Sequence, residues 1–135
     1  MSVLIDTNIL LRFFLEADSD HGKKAISLVE EIRQGKVKGM VTLLVINEYV
    51  WVIQKFYKMK KNDFVPLFIN FLNIPGISVL EYSDKFVKKV LSFYQGHNLD
   101  LIDCYLHHIS ELKQLSVASF DRDFEKLGTD LYNWE

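Results

Sequence analysis

Short apolar runs alternate along this chain with longer segments of helical periodicity, and this alternation constrains the fold more than any other feature. The apolar runs predict strands at residues 3–5, 39–42, 77–80 and 116–120. Strands separated by helices are typical of a parallel sheet, because parallel neighbours need a long crossover connection. The sequence therefore predicts an α/β domain whose mainly parallel sheet is covered by helices on both faces.

The intervals between the predicted strands carry apolar residues at the spacing of amphipathic helices. The segment 43–58 has no helix breaker, although its β-branched residues would also suit a strand. The predicted helices follow Asp6 and cover residues 25–32, 43–58, 63–72, 84–94 and 101–113, with a short helix and an edge strand in 123–135. The length of 135 residues fits one domain, which we expect to span residues 1–135.

Charge and cysteine content narrow the possible functions. The 16 Lys and Arg against 18 Asp and Glu give a formal charge of -2, which excludes the global basic surface of a nonspecific nucleic-acid coat. The single Cys104 excludes an intrachain disulfide and a cysteine-based zinc site, so we expect a reducing cytoplasm. We expect no secretory signal and no membrane span, because no apolar stretch approaches the roughly 20 residues that a span requires.

Two acidic residues, Asp6 and Asp121, occur where predicted strands end. Open α/β sheets bind ligands at the carboxyl ends of their strands, so both carboxylates are candidates for a site. Helix capping is the structural alternative, because Asp is a preferred N-cap and Asp123 is a rival cap beside Asp121. Neither residue alone therefore identifies a site.

Two further carboxylates lie within predicted helices, on faces expected to point inward. The helical neighbours of Glu48 are all apolar, namely Leu44, Val45, Trp51 and Val52. Asp103 repeats this pattern between Leu99 and Leu106, about one turn beyond Asp100, whose position is explained by capping. An ionised carboxylate on an inward face needs a partner, which a Lys or Arg could also supply.

These four carboxylates, Asp6, Glu48, Asp103 and Asp121, would repel one another if the fold brought them together. A shared site would need a hard divalent cation that prefers oxygen ligands, so Mg²⁺ and Mn²⁺ are the candidates. Such an ion can activate a water and neutralise charge on a phosphodiester, which is the chemistry of a nuclease. Nearby side chains could orient a carboxylate, a water or a phosphate; they are Thr7, Asn8 and Ser119. Thr7 and Asn8 are also ordinary residues of a first helical turn.

Four segments of the chain resemble, in order, the acidic motifs of PIN-domain ribonucleases of the VapC toxin type. The opening VLIDTNILLR at residues 3–12 is similar to the first motif, and TLLVINE at 42–48 to the second. LDLID at 99–103 resembles the third motif, and SFDRDF at 119–124 the fourth. Together they cover nearly the whole chain in a protein of the family's size, which makes the resemblance specific.

The resemblance implies a three-layer α/β/α fold and hydrolysis of RNA that depends on Mg²⁺ or Mn²⁺. Asp6, Glu48 and Asp103 match the family's principal acidic positions. Asp121 matches the fourth position, and Asp123 is a candidate for support. The resemblance also implies a homodimer and, for toxin members, inhibition by a small antitoxin protein. We therefore expect a cytoplasmic endoribonuclease that is the toxin of a toxin–antitoxin pair.

Basic residues near the candidate site could contact an RNA backbone. Arg12 and Arg122 lie within about two helical turns of a predicted carboxylate, although both could simply pair with nearby acids. Lys55 and Lys58 flank two aromatic residues and could track a backbone while a ring stacks on a base. A solvated helix end is the structural alternative, since Lys near a helix C-terminus also complements the helix dipole.

Two other function classes also fit the sequence. A noncatalytic PIN-like interaction module could bind a basic partner peptide in its acidic cleft. A phosphoryl hydrolase could instead use Asp6 as a covalent nucleophile, although Glu48 and Asp103 would then lack a role. We expect His107 and Cys104 to be packing residues in either case, because a second histidine with zinc-site spacing is missing and a buried thiol acts as a small hydrophobe.

Overall fold

Three short parallel strands form the sheet of the protein in this computed structural model, which describes residues 1–134. The strands are β1 (Ser2–Leu4), β2 (Lys38–Val41) and β3 (Ile77–Val79), paired in the order β1-β2-β3. Leu4 lies opposite Met40, and Met40 lies opposite Ser78. The predicted α/β class with a mainly parallel sheet is confirmed, and it agrees with a three-layer α/β/α fold.

Seven α-helices occur among residues 1–134. They are α1 (Thr7–Leu15), α2 (Asp20–Arg33), α3 (Leu43–Trp51), α4 (Lys61–Leu72), α5 (Asp84–Gln95), α6 (Leu101–Lys113) and α7 (Asp123–Leu127). A π-helical turn, Val52–Phe56, continues α3, and the chain then takes a left-handed φ of 54° at Lys58. The predicted helix 43–58 therefore forms but ends earlier than expected. None of the helices in the described residues is long and apolar enough to cross a membrane.

The chain divides into two compact units, Met1–Lys88 and Lys89–Glu135. The first unit contains the sheet and α1 to α4, and the second contains α6 and α7. Residues of α5 belong to both units, because the division falls within this helix. That the chain folds as a single domain over residues 1–135 stays a prediction.

The predicted fourth strand at residues 116–120 is wrong. Within the described residues, Val117 alone of this segment pairs, in a parallel bridge with Leu131. The chain turns soon after this bridge, because the Ser119 side chain accepts a hydrogen bond from the Asp121 amide (3.0 Å) and no ladder can continue. The edge strand predicted near the end of the chain is reduced to the same bridge, whereas the short helix predicted there forms as α7.

Aromatic side chains join α1, α3 and α4 in the core of the first unit. The ring of Phe14 contacts Tyr49 on α3 and Phe71 on α4, with centroid separations of 5.5 and 5.7 Å. Tyr49 in turn stacks on Phe68 of α4 at 5.2 Å. Tyr49, Phe68 and Phe71 are each at most 2% exposed. This packing fixes α1 against α3, the helices that follow β1 and β2.

The sheet packs most tightly at Gly39, in its central strand β2. A Cβ atom at Gly39 would lie 2.8 Å from Cδ1 of Ile32 and 3.0 Å from Cδ1 of both Ile5 and Ile77. Ile32 belongs to α2, Ile5 follows β1 and Ile77 begins β3, so three elements converge on the space that a side chain would need. The absence of a side chain at Gly39 therefore lets α2 pack against the sheet.

We predict that Gly39→Ala lowers the free energy of unfolding by about 1–3 kcal/mol, because overpacking a dense core costs this much. Urea unfolding followed by circular dichroism measures the change. Gly96→Ala is the control, since a Cβ there would meet only the carbonyl oxygens of Phe93 and Ser92, at 3.9 and 4.0 Å. A loss for Gly39→Ala no larger than that for Gly96→Ala would contradict this account of the packing.

Candidate active site

Asp6 follows β1 and occupies the N-cap position of α1. Its backbone is extended, with φ -80° and ψ 158°, and its carbonyl accepts a hydrogen bond from the Ile9 amide (3.0 Å). Its side chain makes no capping hydrogen bond, and the residue is exposed. The capping alternative is therefore wrong for the Asp6 carboxylate, which is available to a ligand.

Two side chains cap the N-terminus of α3, the helix that carries Glu48. Thr42 Oγ1 accepts from the Val45 amide (3.3 Å), and Glu81 Oε1 accepts from the Leu43 amide (3.1 Å). Extended by two residues, the register of β1 with β2 puts Asp6 level with Thr42. The first turn of α3 is therefore fixed beside the carboxyl ends of the strands.

Glu48 is exposed, so the prediction that it lies on an inward face of the helix is wrong. Leu44 and Trp51, about one turn before and after it, are 82% and 59% exposed. The buried face of α3 consists instead of Ile46, Tyr49 and Val50. Periodicity did not identify this face because α3 is apolar around most of its circumference. The Glu48 carboxylate thus needs no buried partner and is accessible from solvent.

Asp103 lies in the first turn of α6 and is half-buried. Burial raises the pKa of its carboxyl above the ordinary value, and the charges of Asp121, Asp100 and Asp123 raise that pKa further. Each neighbouring negative charge disfavours ionisation of the same group. Asp103 is therefore the centre of an acidic cluster in the second unit, formed by these four residues.

A tight turn holds the Asp121 carboxylate just before α7. Ser119 Oγ accepts from the Asp121 amide (3.0 Å), and Asp121 Oδ1 accepts from the Asp123 amide (2.9 Å). One oxygen of Asp121 therefore supports the turn before α7, whose N-cap is Arg122 and not Asp121, and its other oxygen can accept a further contact. Asp123 Oδ1 lies 3.8 Å from Lys126 Nζ in an exposed ion pair.

Two acidic residues at the ends of secondary-structure elements were not predicted as part of a site. Asp100 occupies the N-cap position of α6 but makes no capping hydrogen bond, so the capping explanation is wrong for its side chain. Its charge acts on Asp103 instead. Glu81 lies two residues after the end of β3, as Asp6 lies two residues after the end of β1. The rule that selected Asp6 could therefore have found Glu81.

The candidate RNA-binding cations differ in their surroundings. Arg12 Nη1 forms an ion pair with Glu16 Oε1 (2.9 Å), so the simple pairing alternative is confirmed for Arg12. Lys55 and Lys58 are exposed at and after the π-helical turn, and Arg122 is exposed at the start of α7. Lys55, Lys58 and Arg122 form no ion pair with the residues described, and their charges are open to a polyanion.

The histidines of α6 have structural partners, as the sequence predicts. His107 Nδ1 lies 2.7 Å from Thr129 Oγ1, and His107 Nε2 lies 3.2 Å from Glu111 Oε1. His108 Nδ1 lies 2.7 Å from the carbonyl oxygen of Cys104, which is itself fully buried. Burial lowers the pKa of His107 more than the Glu111 carboxylate raises it. These side chains therefore tie α6 to its surroundings.

The chemistry of the acidic cluster fits a hard divalent cation. Like charges crowd Asp103, and carboxylate oxygens are the ligands that Mg²⁺ and Mn²⁺ prefer. In the described part of the chain, no three His, Cys, Asp or Glu side chains form a group that could hold a metal ion as they stand. The acidic cluster therefore fits such an ion in the type of its donor atoms and in its charge. The second unit supplies the carboxylates of Asp100, Asp103, Asp121 and Asp123, whose oxygens are of the donor type that such an ion prefers.

Two comparisons with known proteins cover nearly the whole chain. The PIN domain family model matches residues 3–129. A VapC ribonuclease of Aquifex aeolicus (strain VF5) is 28% identical over 132 residues, which make up 96% of this chain and 95% of that protein. The matched range spans Asp6, Glu48, Asp103 and Asp121.

We predict that Asp103→Asn stabilises the protein at about pH 7 in the absence of divalent cations, because it removes a crowded charge. The expected gain is about 0.5–2 kcal/mol, as for other substitutions that relieve strain at a site, and solvent screening favours the lower end. Since the folded-state pKa is raised, ionisation is penalised only in the folded protein. Below the ordinary pKa of Asp, the Asp103 carboxyl is protonated in both states and its ionisation costs no stability. Above the raised pKa, the cost to stability is complete. The gain should therefore shrink as urea unfolding is repeated from about pH 7 down to about pH 3.

Asp18→Asn is the control for this experiment, because Asp18 is an exposed carboxylate in the turn between α1 and α2. Asp18→Asn should change the free energy of unfolding by less than about 0.5 kcal/mol at every pH. If Asp103→Asn destabilised the protein at neutral pH, favourable contacts would have to hold the Asp103 carboxylate. That result would contradict the crowding of charge described above.

Proposed function

Because the chain belongs to the PIN-domain family, we propose that it is a metal-dependent endoribonuclease that hydrolyses RNA phosphodiester bonds. The observation that carries the proposal is the crowding of acidic side chains around Asp103. A site of this charge repels a phosphodiester unless cations enter with it, which is the requirement of metal-dependent phosphate chemistry. The similarity to a VapC ribonuclease over 96% of the chain supports RNA as the substrate.

We assign the catalytic and metal-binding roles to Asp6, Glu48, Asp103 and Asp121. When bound, Mg²⁺ or Mn²⁺ supplies positive charge beside the scissile phosphate and makes an attacking water more acidic. The exposed carboxylates of Asp6 and Glu48 are available as ligands, since neither is used for capping. Asp103 is restrained by its half-burial in α6, so it offers its oxygens at a defined position.

Side chains around the carboxylates take positioning roles in this proposal. Ser119 and the Asp123 amide restrain Asp121 through hydrogen bonds of 3.0 and 2.9 Å. Thr7 is buried directly after Asp6, which supports a role in fixing the backbone there, while Asn8 is exposed and can reach a phosphate. These residues therefore act through the carboxylates or on the substrate, not on the reacting water.

Cations outside the acidic cluster are proposed to bind the RNA backbone. Arg122, Lys55 and Lys58 are exposed and can each contact a phosphate, because none is neutralised by an ion pair with the described residues. Arg12 would have to release Glu16 before it could do so. We therefore expect Arg12 to contribute less to RNA affinity than the other three.

We further propose that the protein is the toxin of a toxin–antitoxin pair, a homodimer that a small antitoxin protein inhibits in the cytoplasm. Exposed apolar side chains on α3 and the π-helical turn support a protein interface there, because large exposed apolar surfaces mark such interfaces. They are Leu44, Trp51 and Phe56, which are 82%, 59% and 74% exposed. The single cysteine supports a reducing compartment.

Cleavage of single-stranded RNA with Mg²⁺ or Mn²⁺ tests the proposed reaction. We expect the parent protein to cleave, a chelator to abolish cleavage, and Asp6→Asn and Asp103→Asn each to slow it on the order of 100-fold or more. Asp18→Asn should cleave like the parent. Cleavage that survives both the chelator and the two substitutions would refute the assignment. A parent that binds a basic peptide but neither binds Mn²⁺ in calorimetry nor cleaves RNA would favour the noncatalytic module.

The double variant Asp6→Asn/Asp103→Asn tests whether the two carboxylates serve one reaction. Residues that act as a unit have non-additive effects, so the double variant should cleave about as slowly as the slower single variant. Single-turnover rates, with circular dichroism as a check on folding, give the comparison. Losses that multiply would mean that the two residues act independently and would contradict a shared role.

A further inference from the structure

Three exposed aromatic rings lie together in the second unit. The rings of Phe120 and Trp134 are stacked, with centroids 5.1 Å apart and planes 20° from parallel. Tyr132 meets Trp134 edge to face, at 4.9 Å and 79°. Phe120, Tyr132 and Trp134 are 89%, 53% and 59% exposed. We term these three residues the aromatic platform.

Backbone pairing holds the aromatic platform together. Val117 and Leu131 form a parallel bridge, and the Tyr132 amide donates to the Val117 carbonyl (2.9 Å). Phe120 lies three residues after Val117, and Trp134 lies three residues after Leu131. The two parallel segments therefore place the two rings side by side. The rings are therefore positioned without being buried in a core.

The aromatic platform adjoins the acidic cluster and a cation. Phe120 directly precedes Asp121, whose charge acts on Asp103. The hydrogen bond from the Asp121 amide to Ser119 Oγ (3.0 Å) fixes the backbone on both sides of Phe120. The exposed Arg122 follows Asp121. An RNA strand with a phosphate at the acidic cluster would thus have an aromatic surface within reach of an adjacent base.

The charge of this unit favours stacking as its contact with RNA. Residues 89–135 contain eight Asp and Glu but only four Lys and Arg, so phosphate contacts contribute little attraction here. An unpaired base presents two π faces, and stacking on aromatic side chains tolerates any base sequence. The exposed rings can therefore attract the strand through its bases, where the charge of the unit repels its phosphates.

We propose that the aromatic platform stacks an unpaired base of the RNA substrate, next to the phosphate that is cleaved. This inference rests on the ribonuclease function proposed above and adds a substrate-binding surface to it. Phe120 and Trp134 supply the π faces, and Tyr132 holds the edge of Trp134. A base held on the rings positions its own phosphate relative to Asp121, the residue that follows Phe120.

The test separates binding from cleavage by measuring anisotropy of labelled RNA in a chelator at low salt. Two single-stranded RNAs of equal length are compared, one complete and one with abasic riboses at its central positions. Phe120→Leu and Trp134→Leu keep apolar bulk but remove a π face, whereas Phe120→Tyr keeps the face. Leu115→Ala is the control, because Leu115 is 57% exposed in the same unit and has no ring.

We expect the parent to bind the complete RNA about 5- to 150-fold more tightly than the abasic RNA, which is the range for one stacked base. Phe120→Leu and Trp134→Leu should lose most of this preference and leave affinity for the abasic RNA unchanged. Phe120→Tyr and Leu115→Ala should keep it. The proposal is overturned if the parent binds neither RNA or binds both with the same affinity. It is also overturned if the leucine variants keep the preference for the complete RNA, or if they weaken the binding of both RNAs equally.

Two further outcomes separate this inference from the proposed function and from a protein interface. If the parent prefers the complete RNA but cleaves none, the proposed ribonuclease function is refuted and the aromatic platform is supported. If the parent cleaves RNA without any base preference, the platform is refuted and the ribonuclease function is supported. Light scattering of the same variants gives their oligomeric mass. A change in mass with an unchanged base preference would assign the rings to a protein interface and overturn the platform.

Discussion

Parallel pairing of very short segments is the constraint that positions the candidate residues within each unit. In the first unit, parallel strands end at one edge of the sheet, and Asp6, Thr42 and Glu81 come within two residues of those ends. In the second unit, one parallel bridge at Val117 brings Phe120 beside Trp134. Because each paired segment has at most four residues, the chemistry-bearing side chains lie close to the paired backbone that positions them.

Acidic residues at these ends carry a cost that the local hydrogen bonds relieve only in part. Glu81 and Asp121 each accept from an amide at the start of a helix. Asp6 and Asp100 occupy N-cap positions yet make no capping hydrogen bond. An N-cap hydrogen bond is worth about 1 kcal/mol, so both residues forgo stability that their side chains could supply. A carboxylate kept available in this way is typical of a site that holds a ligand, because activity often trades against stability.

The positions of helices and strands could be predicted from the sequence more fully than the faces that they bury or expose. The strands β1 to β3 and most helices follow from apolar runs and capping residues, whereas the charges of Asp100 and Asp123 on Asp103 were not predicted. The buried face of α3 could not be predicted from the sequence, because periodicity does not distinguish between two apolar faces of one helix. The packing of Tyr49 on Phe68 decides which face is buried. The predicted strand at 116–120 does not form, since the hydrogen bond that the Asp121 amide donates to Ser119 Oγ outweighs local β-propensity.

The motif SFDRDF shows why a functional surface can be hidden in a sequence. Its two phenylalanines, Phe120 and Phe124, are four residues apart and would share a face if the segment were helical throughout. Helix α7 begins only at Asp123, after the turn that Asp121 stabilises. Phe124 is therefore buried at 2% exposure, whereas Phe120 is left outside at 89%. The same hydrogen bonds that fix the Asp121 carboxylate thus direct one aromatic ring into the core and the other toward solvent beside it.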